Sequence, residues 1–402
     1  MSGRIFITGY GIITSIGNNA DQNYQSLIQR KCGFGSLDFL DTIHKHDLPA
    51  CEIKLSDEQL CELAGVSPQH GYTRTVVLGI IAAKEALQMA GLTTDEIRSA
   101  GLLSATTTGG IRELESHYYE LQNKDQHGDF ELYADTANPG EHSERMADEF
   151  GIKNYIATVS TACSSSANTI MLGARLISNG ELHTAICGGA EALSKFTING
   201  FNSLMILDKE HCRPFDISRK GLNLGEGAAY LVLESEEQVQ RSGKKPIAVL
   251  AGYGNTNDAF HQTASSPDGT GAYLAMRIAL DKATLSSSAI SYINTHGTAT
   301  ENNDLSEGLA IEKLFGDKVP PFSSTKPYTG HTLAAAGSVE AVFCLMALQN
   351  RVIFPNINYK QKMEELRIEP QKELREEQEL KNVLSNSFGF GGNSSSLILS
   401  VV

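Results

Sequence analysis

The sequence predicts an α/β protein built from buried sheets and covering helices. Strand-like and helix-like segments alternate along the 402 residues, and the segment Gly-Tyr-Gly appears at the ends of two strand-like stretches, 5–8 and 249–251. Such alternation is typical of sheets with helices packed on their faces. The repeated Gly-Tyr-Gly indicates duplicated halves, with a chance match between short segments as the alternative.

The elements follow one another in a regular order. We predict a helix over 75–90, ended by Gly91, and an Ala- and Leu-rich helix over 333–349. The strand-like segments are 5–8, 102–106, 156–159, 184–189, 228–233, 249–251, 291–294, 383–386 and 396–400. Lys-Lys-Pro at 244–246 marks a junction, which divides the chain into halves 1–245 and 246–402.

Composition excludes several classes of function. A net charge of −14 disfavours nonspecific binding to nucleic acid or to an anionic membrane. The seven cysteines show no disulfide or metal-ligand spacing, which fits a reducing compartment. The first residues resemble a strand and turn rather than a signal peptide, and no apolar run approaches the roughly 18 residues of a membrane span. We therefore expect a cytoplasmic protein that binds neither membrane nor nucleic acid.

Cys163 is the strongest candidate nucleophile. It lies between a β-prone segment, 156–159, and a helical segment, 168–176. Free N–H groups and the helix dipole at a helix N-terminus lower the pKa of a thiol and favour the thiolate. A small buried core cysteine is an equally good interpretation of this residue alone.

Two of the eleven histidines have an unusual setting. His296 and His331 are each adjacent to a glycine and surrounded by hydroxyl residues. Catalysis and structural hydrogen bonding are both open for each of them. Lys326 is an isolated cation nearby, either exposed or paired with a carboxylate. The candidate carboxylates are Asp304, Glu307 and Glu340.

A glycine-aromatic loop covers 386–393. Its glycines allow backbone N–H groups to point at one spot, and we interpret Phe388 and Phe390 as a gate rather than as core aromatics of a hairpin. A cysteine, two histidines and such a loop indicate acyl transfer through a thioester. A metal site is disfavoured by the spacing, although distant ligands can converge.

Taken together, these segments resemble the β-ketoacyl-acyl-carrier-protein synthases, the elongating condensing enzymes of the thiolase fold. The matching segments, in order, are 159–168, 214–228, 253–261, 294–304, 326–340 and 388–392. The resemblance implies a thiolase-like five-layer αβαβα sandwich of two similar halves. It also implies a homodimer, or a heterodimer with a chain-length subunit.

The resemblance assigns a role to each candidate. Cys163 would take an acyl group from an acyl carrier protein, with the N–H groups of Cys163 and Phe390 as the oxyanion hole. His296 and His331 would stabilise the enolate formed when a malonyl thioester loses carbon dioxide. The product would be a β-ketoacyl carrier protein in fatty-acid, polyketide or aryl-polyene synthesis.

The remaining roles follow from the same resemblance. Thr298 and Thr300 would contact the phosphopantetheine arm, which arrives on the carrier protein, so that no further cofactor and no metal is needed. Lys326 and Glu340 would orient the histidine region, and Asp304 and Glu307 match nearby acidic positions. Phe388 and Phe390 match a gating loop.

Three departures from the resemblance affect the prediction. Ser166 stands where most relatives have glycine, and Thr108 stands where elongating relatives often have a bulky aliphatic residue, which suggests a smaller and more polar gate. Few basic residues are available to hold a carrier protein; the candidates are Arg74, Lys209 and Arg213. A catalytically idle chain-length subunit is the alternative, and intact Cys163, His296 and His331 argue against it.

Overall fold

The computed structural model describes residues 3–68, 71–118, 130–377 and 379–402. The strands are β1 Ile5–Thr14, β2 Gly101–Ala105, β3 Tyr155–Val159, β4 Thr184–Glu191, β5 Gly227–Ser235, β6 Ala248–Asn257, β7 Tyr292–Asn294, β8 Phe322–Ser323, β9 Val352–Ile353, β10 Arg375–Glu376, β11 Asn382–Phe388 and β12 Asn393–Ser400. The described helices are α1 Ala20–Ile28, α2 Asp57–Ala64, α3 Arg74–Ala90, α4 Thr94–Ser99, α5 Ile111–Ser116, α6 Phe130–Tyr133, α7 Pro139–Phe150, α8 Ser165–Ser178, α9 Lys195–Ser203, α10 Glu236–Ser242, α11 Thr270–Ala283, α12 Glu301–Phe315, α13 Lys326–Thr329 and α14 Ala336–Asn350.

The strand order repeats between the two halves of the chain. The first half has the order β3-β2-β4-β5-β1, and the second half continues it as β6-β12-β11-β7-β8. In each half, the outer three strands are parallel and the inner pairs are antiparallel. A two-residue pairing joins β1 to β6. The same path traced twice confirms two similar halves.

The helices form three layers around these strands. Helix α3 packs on β1 and β5, and α11 packs on β6 and β12, each on the outer side of its half. Helices α8 and α14 pack on each other and on strands of both halves, so they form the middle layer. This arrangement is the five-layer αβαβα sandwich that the family resemblance implies.

The repeated Gly-Tyr-Gly has a structural reason. A Cβ atom at Gly11 would lie 2.1 Å from the carbonyl oxygen of Ala82 in α3. At Gly254, in the corresponding strand β6, it would lie 2.2 Å from the carbonyl oxygen of Ala275 in α11. Both halves therefore need glycine where the first strand touches its outer helix, and the repeat reflects duplication of that contact.

The two central helices approach closely just after Cys163. A Cβ at Gly337 would lie 2.7 Å from the backbone nitrogen of Ala167. The hydroxyl of Ser166, the departure from the usual glycine, accepts a hydrogen bond of 2.9 Å from the backbone N–H of Ser338. This hydrogen bond joins α8, the helix that follows Cys163, to α14.

One apolar stretch does reach the length of a membrane span, contrary to the expectation from the sequence. The stretch Leu333–Asn350 has 18 residues and a mean hydropathy of 1.4. However, 89% of it is buried inside the protein, where it contributes α14 to the middle layer. Burial on all sides explains why this helix is apolar around its whole circumference.

Two of the three basic residues proposed to hold a carrier protein are committed elsewhere. Arg74 is buried, and its guanidinium lies 2.7 Å from a carboxylate oxygen of Glu226, so it has no surface to offer a partner. Arg213 is largely covered and pairs with Asp208 and Glu210. Only Lys209 remains exposed. Ion pairs with carboxylates of the same chain therefore occupy both Arg74 and Arg213.

Candidate active site

Cys163 lies in the turn between β3 and α8, as the sequence predicts. The preceding residue, Ala162, has a φ of 53°, in the left-handed region that residues other than glycine rarely adopt. Helix α8 begins two residues after the cysteine, at Ser165. Cys163 is 5% exposed. It is therefore buried, as the core interpretation expects, and it also lies at the helix start where the nucleophile interpretation places it.

The folded chain brings Cys163 and the two histidines together. The sulfur of Cys163 and one ring nitrogen each of His296 and His331 lie within 4.8 Å of one another. The two imidazole rings meet edge to face, with their centroids 5.3 Å apart. Three residues from three separate loops therefore surround one small volume.

The hydrogen bonds of His331 fix which nitrogen carries its proton. Its Nδ1 accepts a hydrogen bond of 3.1 Å from the backbone N–H of Leu333. A neutral imidazole that accepts at Nδ1 carries its proton at Nε2. That Nε2 atom is buried and has no hydrogen-bond partner among the described residues. His331 is thus a hydrogen-bond donor without an acceptor.

Lys326 sets the same tautomer in His296. The ammonium nitrogen lies 3.2 Å from His296 Nδ1 and donates a bond of 2.5 Å to the carbonyl oxygen of the same residue. Since an ammonium group can only donate, Nδ1 accepts and Nε2 carries the proton. Of the three candidate carboxylates, Glu340 is the one paired with Lys326.

Both histidines are neutral at physiological pH. Burial lowers the pKa of His296 well below its usual value, and the charge of Lys326 and the neighbouring His331 lower it further. Burial, followed by Lys326, has the same effect on the pKa of His331. The pair therefore presents two uncharged N–H donors, which suits an oxygen that gains negative charge during a reaction.

Cys163 differs from the expectation of a low pKa. Burial raises the pKa of its thiol to about 11, against the opposing effects of Lys326 and of the backbone N–H groups of Phe390 and Cys163 itself. Loss of water outweighs the helix N-terminus, because the thiol is almost fully covered. The resting group is the thiol. The two N–H groups nevertheless converge on it, as an oxyanion hole requires.

Glu307 and Asp304, the other two candidate partners of Lys326, bind the backbone of the loop that carries His296. Glu307 accepts hydrogen bonds of 2.9 Å from the N–H groups of both His296 and Gly297. Asp304 accepts a bond of 3.1 Å from Ala299. Burial raises the pKa of Glu307 to about 7. These carboxylates are positioning residues for the loop that carries the histidine.

Two cavities meet at Cys163. A cleft of about 390 Å³ is lined by both histidines and by Thr298 and Thr300, and we call it the entry cleft. A second cavity of about 410 Å³ is lined mainly by apolar groups and includes Thr108; we call it the inner cavity, and its lining extends to the surface at Phe196 and Leu204. Phe201 and Phe390 border both spaces, with stacked rings 5.7 Å apart. The sulfur can therefore be reached from two sides.

The two phenylalanines of the predicted gate have different positions. Phe388 is the last residue of β11, is buried, and lies 5.7 Å from the ring of His296. Phe390 is half-buried and lies in the loop itself. A Cβ at the intervening Gly389 would lie 2.6 Å from the carbonyl oxygen of Thr161, so glycine allows the loop to reach the cysteine's turn.

Thr108, where a smaller and more polar gate is expected, lines the inner cavity. Its hydroxyl donates a hydrogen bond of 2.8 Å to the buried carboxylate of Glu191. Thr107 also donates its hydroxyl to Glu191. The proton of each hydroxyl is therefore committed to Glu191, and the polarity of the gate stays a prediction.

Sequence reasoning missed the amide network that attaches the gating loop to the cysteine's turn. The side-chain oxygen of Asn393 accepts hydrogen bonds from Ser164 at 2.7 Å, Asn255 at 2.9 Å and Asn168 at 3.1 Å. The signal in the sequence was an asparagine directly after two glycines. Its partners come from two distant segments, the start of α8 and strand β6, so the fold was needed to identify them.

The trio of Cys163, His296 and His331 also has the ligand types of a metal site. A divalent cation there would have to displace the proton of the Cys163 thiol. It would also face the ammonium group of Lys326, which contacts His296. The positive charge of Lys326 opposes a cation at this position.

Comparisons with known proteins find the same family in both halves of the chain. Residues 2–239 match the family model "Beta-ketoacyl synthase, N-terminal domain", and residues 247–360 match "Beta-ketoacyl synthase, C-terminal domain". The chain is 32% identical to a 3-oxoacyl-[acyl-carrier-protein] synthase 2 of Rhizobium meliloti (strain 1021), over 98% of each chain. It is 29% identical to the enzyme of the same name from Vibrio harveyi, again over 98% of each chain.

Solved structures show the same relationship. The ishigamide ketosynthase/chain length factor superposes with a TM-score of 0.92 and 31% identity, covering 100% of both chains. A ketosynthase in complex with its chain length factor, from Xenorhabdus doucetiae, gives 0.84 and 31%, covering 100% of this chain and 98% of the other. The chain therefore belongs to the β-ketoacyl synthase family, the condensing enzymes of fatty-acid and polyketide synthesis.

Proposed function

We propose that the protein condenses an acyl group held on Cys163 with a malonyl group on an acyl carrier protein, with loss of carbon dioxide. One observation carries the proposal. Two neutral N–H donors, His296 and His331, lie within 4.8 Å of a cysteine that two cavities reach, and within the described ranges the buried Nε2 of His331 has no hydrogen-bond partner. This geometry provides a place for the nucleophile and a separate place for a developing enolate oxygen.

The first step loads the cysteine. Sγ of Cys163 attacks the carbonyl carbon of an acyl thioester, and the carbonyl oxygen becomes an oxyanion that accepts from the N–H groups of Cys163 and Phe390. The carbon–sulfur bond to the carrier's pantetheine then breaks. The proton of the Cys163 thiol passes to the departing pantetheine sulfur, which leaves as a thiol.

The second step makes the new carbon–carbon bond. The malonyl thioester oxygen accepts hydrogen bonds from Nε2 of His296 and His331, and the carboxylate leaves as carbon dioxide while its electron pair moves into the enolate. The enolate carbon attacks the acyl carbon on Cys163. The bond to Sγ breaks, the sulfur takes up a proton, and the β-ketoacyl product remains on the carrier.

The two cavities suit two parts of the substrates. Thr298 and Thr300 line the entry cleft and offer hydroxyls to a pantetheine arm, so the protein needs no cofactor of its own. The inner cavity, with its apolar lining, suits the acyl chain. Phe390 lies between them and is the residue we propose as the moving gate.

We propose an acyl carrier protein as the substrate carrier and a second subunit as a permanent partner. Phe196, which lines the inner cavity, is 61% exposed, and Met205, which lines the entry cleft, is 87% exposed. Strand β3 is an edge strand of half-buried residues. Exposed apolar side chains and an open strand edge each favour a subunit interface. We propose a homodimer. A measurement of the mass in solution tests this, and a heterodimer with a chain-length subunit is the alternative outcome.

The cytoplasm is the proposed compartment, because the chemistry requires a reduced Cys163 and the seven cysteines have no pairing pattern.

The experiment for the activity is a product profile with purified malonyl carrier protein and a panel of acyl, polyenoyl and aryl primers. We expect β-ketoacyl products and carbon dioxide in equal amounts. Condensation of coenzyme A esters without release of carbon dioxide would instead support a thiolase, and absence of any product would support an idle subunit.

A further inference from the structure

Glu191, the last residue of β4, is a fully buried carboxylate with an unusual set of partners. Among the described residues it forms no ion pair with lysine or arginine. Six hydrogen-bond donors surround it instead. They are the hydroxyls of Thr106, Thr107 and Thr108 and the backbone N–H groups of Thr107, Thr108 and Ala334. Such a set compensates a buried carboxylate for the water it has lost.

Three consecutive threonines provide most of these donors. One carboxylate oxygen accepts from the hydroxyls of Thr106 and Thr108, each at 2.8 Å. The other accepts from the backbone N–H of Thr107 at 2.8 Å and from its hydroxyl. Thr107 and Thr108 line the inner cavity. The side chains that form this wall are therefore held from behind.

The same carboxylate reaches the opposite wall. Ala334 donates its N–H to Glu191 at 3.4 Å. The preceding residue, Leu333, lines the inner cavity, has a φ of 51°, and donates its own N–H to His331. Glu191 thus connects two walls of the cavity and the backbone that sets the histidine's tautomer.

We propose that Glu191 is a positioning residue that keeps the acyl-chain wall fixed and so sets a sharp limit on chain length. The proposal rests on the proposed function, since it assumes that the inner cavity takes the acyl chain. Because the hydroxyls of Thr107 and Thr108 are both bound to Glu191, these side chains resist rotation, and the wall does not move aside for a longer chain. The cavity of about 410 Å³ is already open beside the unmodified cysteine.

Two matched double variants separate hydrogen bonding from shape. Thr107→Val with Thr108→Val removes two hydroxyl donors and keeps branched side chains of similar form. Thr107→Ser with Thr108→Ser keeps the donors and removes the methyl groups. The measurement is the acylation rate of Cys163 by carrier proteins with acyl chains of increasing length. The ratio of rates for long and short chains within each variant cancels any loss of folded protein.

The wild type should show a sharp length limit, and the serine double variant should keep a sharp one. In the valine double variant, the long-to-short ratio just above the wild-type limit should rise roughly tenfold, which corresponds to the loss of a hydrogen bond to a charged group. An unchanged ratio in the valine variant, or equal relaxation in both variants, would overturn the inference alone. A wild type that takes up no acyl group of any length would overturn it together with the proposed function.

Discussion

At Cys163, two local effects oppose each other. The helix N-terminus and Lys326 favour the thiolate, while burial favours the thiol and prevails, with a pKa of about 11. Reactivity therefore comes from placement rather than from a standing thiolate. The site orients a thiol toward an oxyanion hole and lets attack and proton transfer accompany each other.

Alkylation kinetics test the high thiol pKa. With a small neutral reagent such as iodoacetamide, the rate of Cys163 modification should rise about tenfold per pH unit between about pH 6 and pH 9, because only the small thiolate fraction reacts. Peptide mapping after timed quenching isolates Cys163 from exposed Cys32. A rate that levels off in this range would contradict the effect of burial on the pKa.

Replacing either histidine should separate the two half-reactions. His296→Ala and His331→Ala each remove one N–H donor from the enolate, so malonyl decarboxylation should fall by about 10²–10³-fold. Acyl transfer to Cys163 should persist, since its oxyanion hole is made by backbone groups. Released carbon dioxide and acyl-enzyme mass are measured in parallel. Decarboxylation at the parent rate in either variant would remove that histidine from the mechanism.

The sequence was informative about these residues up to a point. Glycine neighbours and hydroxyl surroundings distinguished His296 and His331 from the other histidines. The pKa of Cys163 was predicted in the wrong direction because burial depends on the packing of distant segments. Spacing alone left Asp304, Glu307 and Glu340 open as the partner of Lys326, whereas the family resemblance already paired Lys326 with Glu340, as the structure does.

Among the elements, α8 and α14 matter most for the site. Their close contact sets where the turn that carries Cys163 lies, and the Ser166 hydroxyl and the absent side chain of Gly337 make that contact possible. Such packing is specific to the two helices involved. The sequence predicted both helices but could not show that they pack against each other.

Substitution at Gly337 should disturb this contact. Gly337→Ala places a Cβ 2.7 Å from the backbone nitrogen of Ala167, so we expect a loss of about 1–3 kcal/mol in the free energy of unfolding and slower acylation of Cys163. Denaturant unfolding and acylation assays measure the two effects. Gly35→Ala is the control, because its Cβ would meet only the Lys54 side chain at 3.7 Å. Equal behaviour of the two variants would mean that α8 and α14 tolerate separation.

For the whole molecule, duplication explains both the symmetry of the strands and the asymmetry of the site. The outer helices repeat, as the Gly-Tyr-Gly contacts show, but the first half contributes the cysteine and the second contributes both histidines. The repeated motif allowed this duplication to be predicted from the sequence. The junction at 245/246 remains a prediction, and the two-residue pairing of β1 with β6 could not be foreseen from local patterns.

A buried ion pair ties together the first half. Glu226 binds Arg74 and also accepts backbone N–H bonds from Ile53 and Leu193. Burial raises the pKa of Glu226, but Arg74 and the other donors outweigh it, so the folded-state pKa lies below its usual value. Such a carboxylate stabilises the fold above its unfolded-state pKa, and this contribution is lost as the pH falls through the folded-state pKa.

Glu226→Gln should therefore destabilise the protein by about 3–5 kcal/mol at neutral pH, because it leaves Arg74 charged and buried. The difference from wild type should begin to shrink as the pH falls below about 4.3, the ordinary glutamate pKa that applies to the unfolded chain, and should disappear below the lower folded-state pKa, where the wild-type carboxylate is protonated as well. Urea unfolding at a series of pH values measures both effects. A difference that stays constant with pH would show that the charge of Glu226 is not what stabilises the fold.

The central claim is that Cys163 holds the acyl chain while the two histidines act on the malonyl group. Intact-protein mass spectrometry after incubation with an acyl carrier protein, without malonyl donor, tests it most directly. The account predicts a mass increase of one acyl group, mapped to Cys163, which disappears when malonyl carrier protein is added and β-ketoacyl carrier protein forms. No adduct, or an adduct on another residue, would contradict the account.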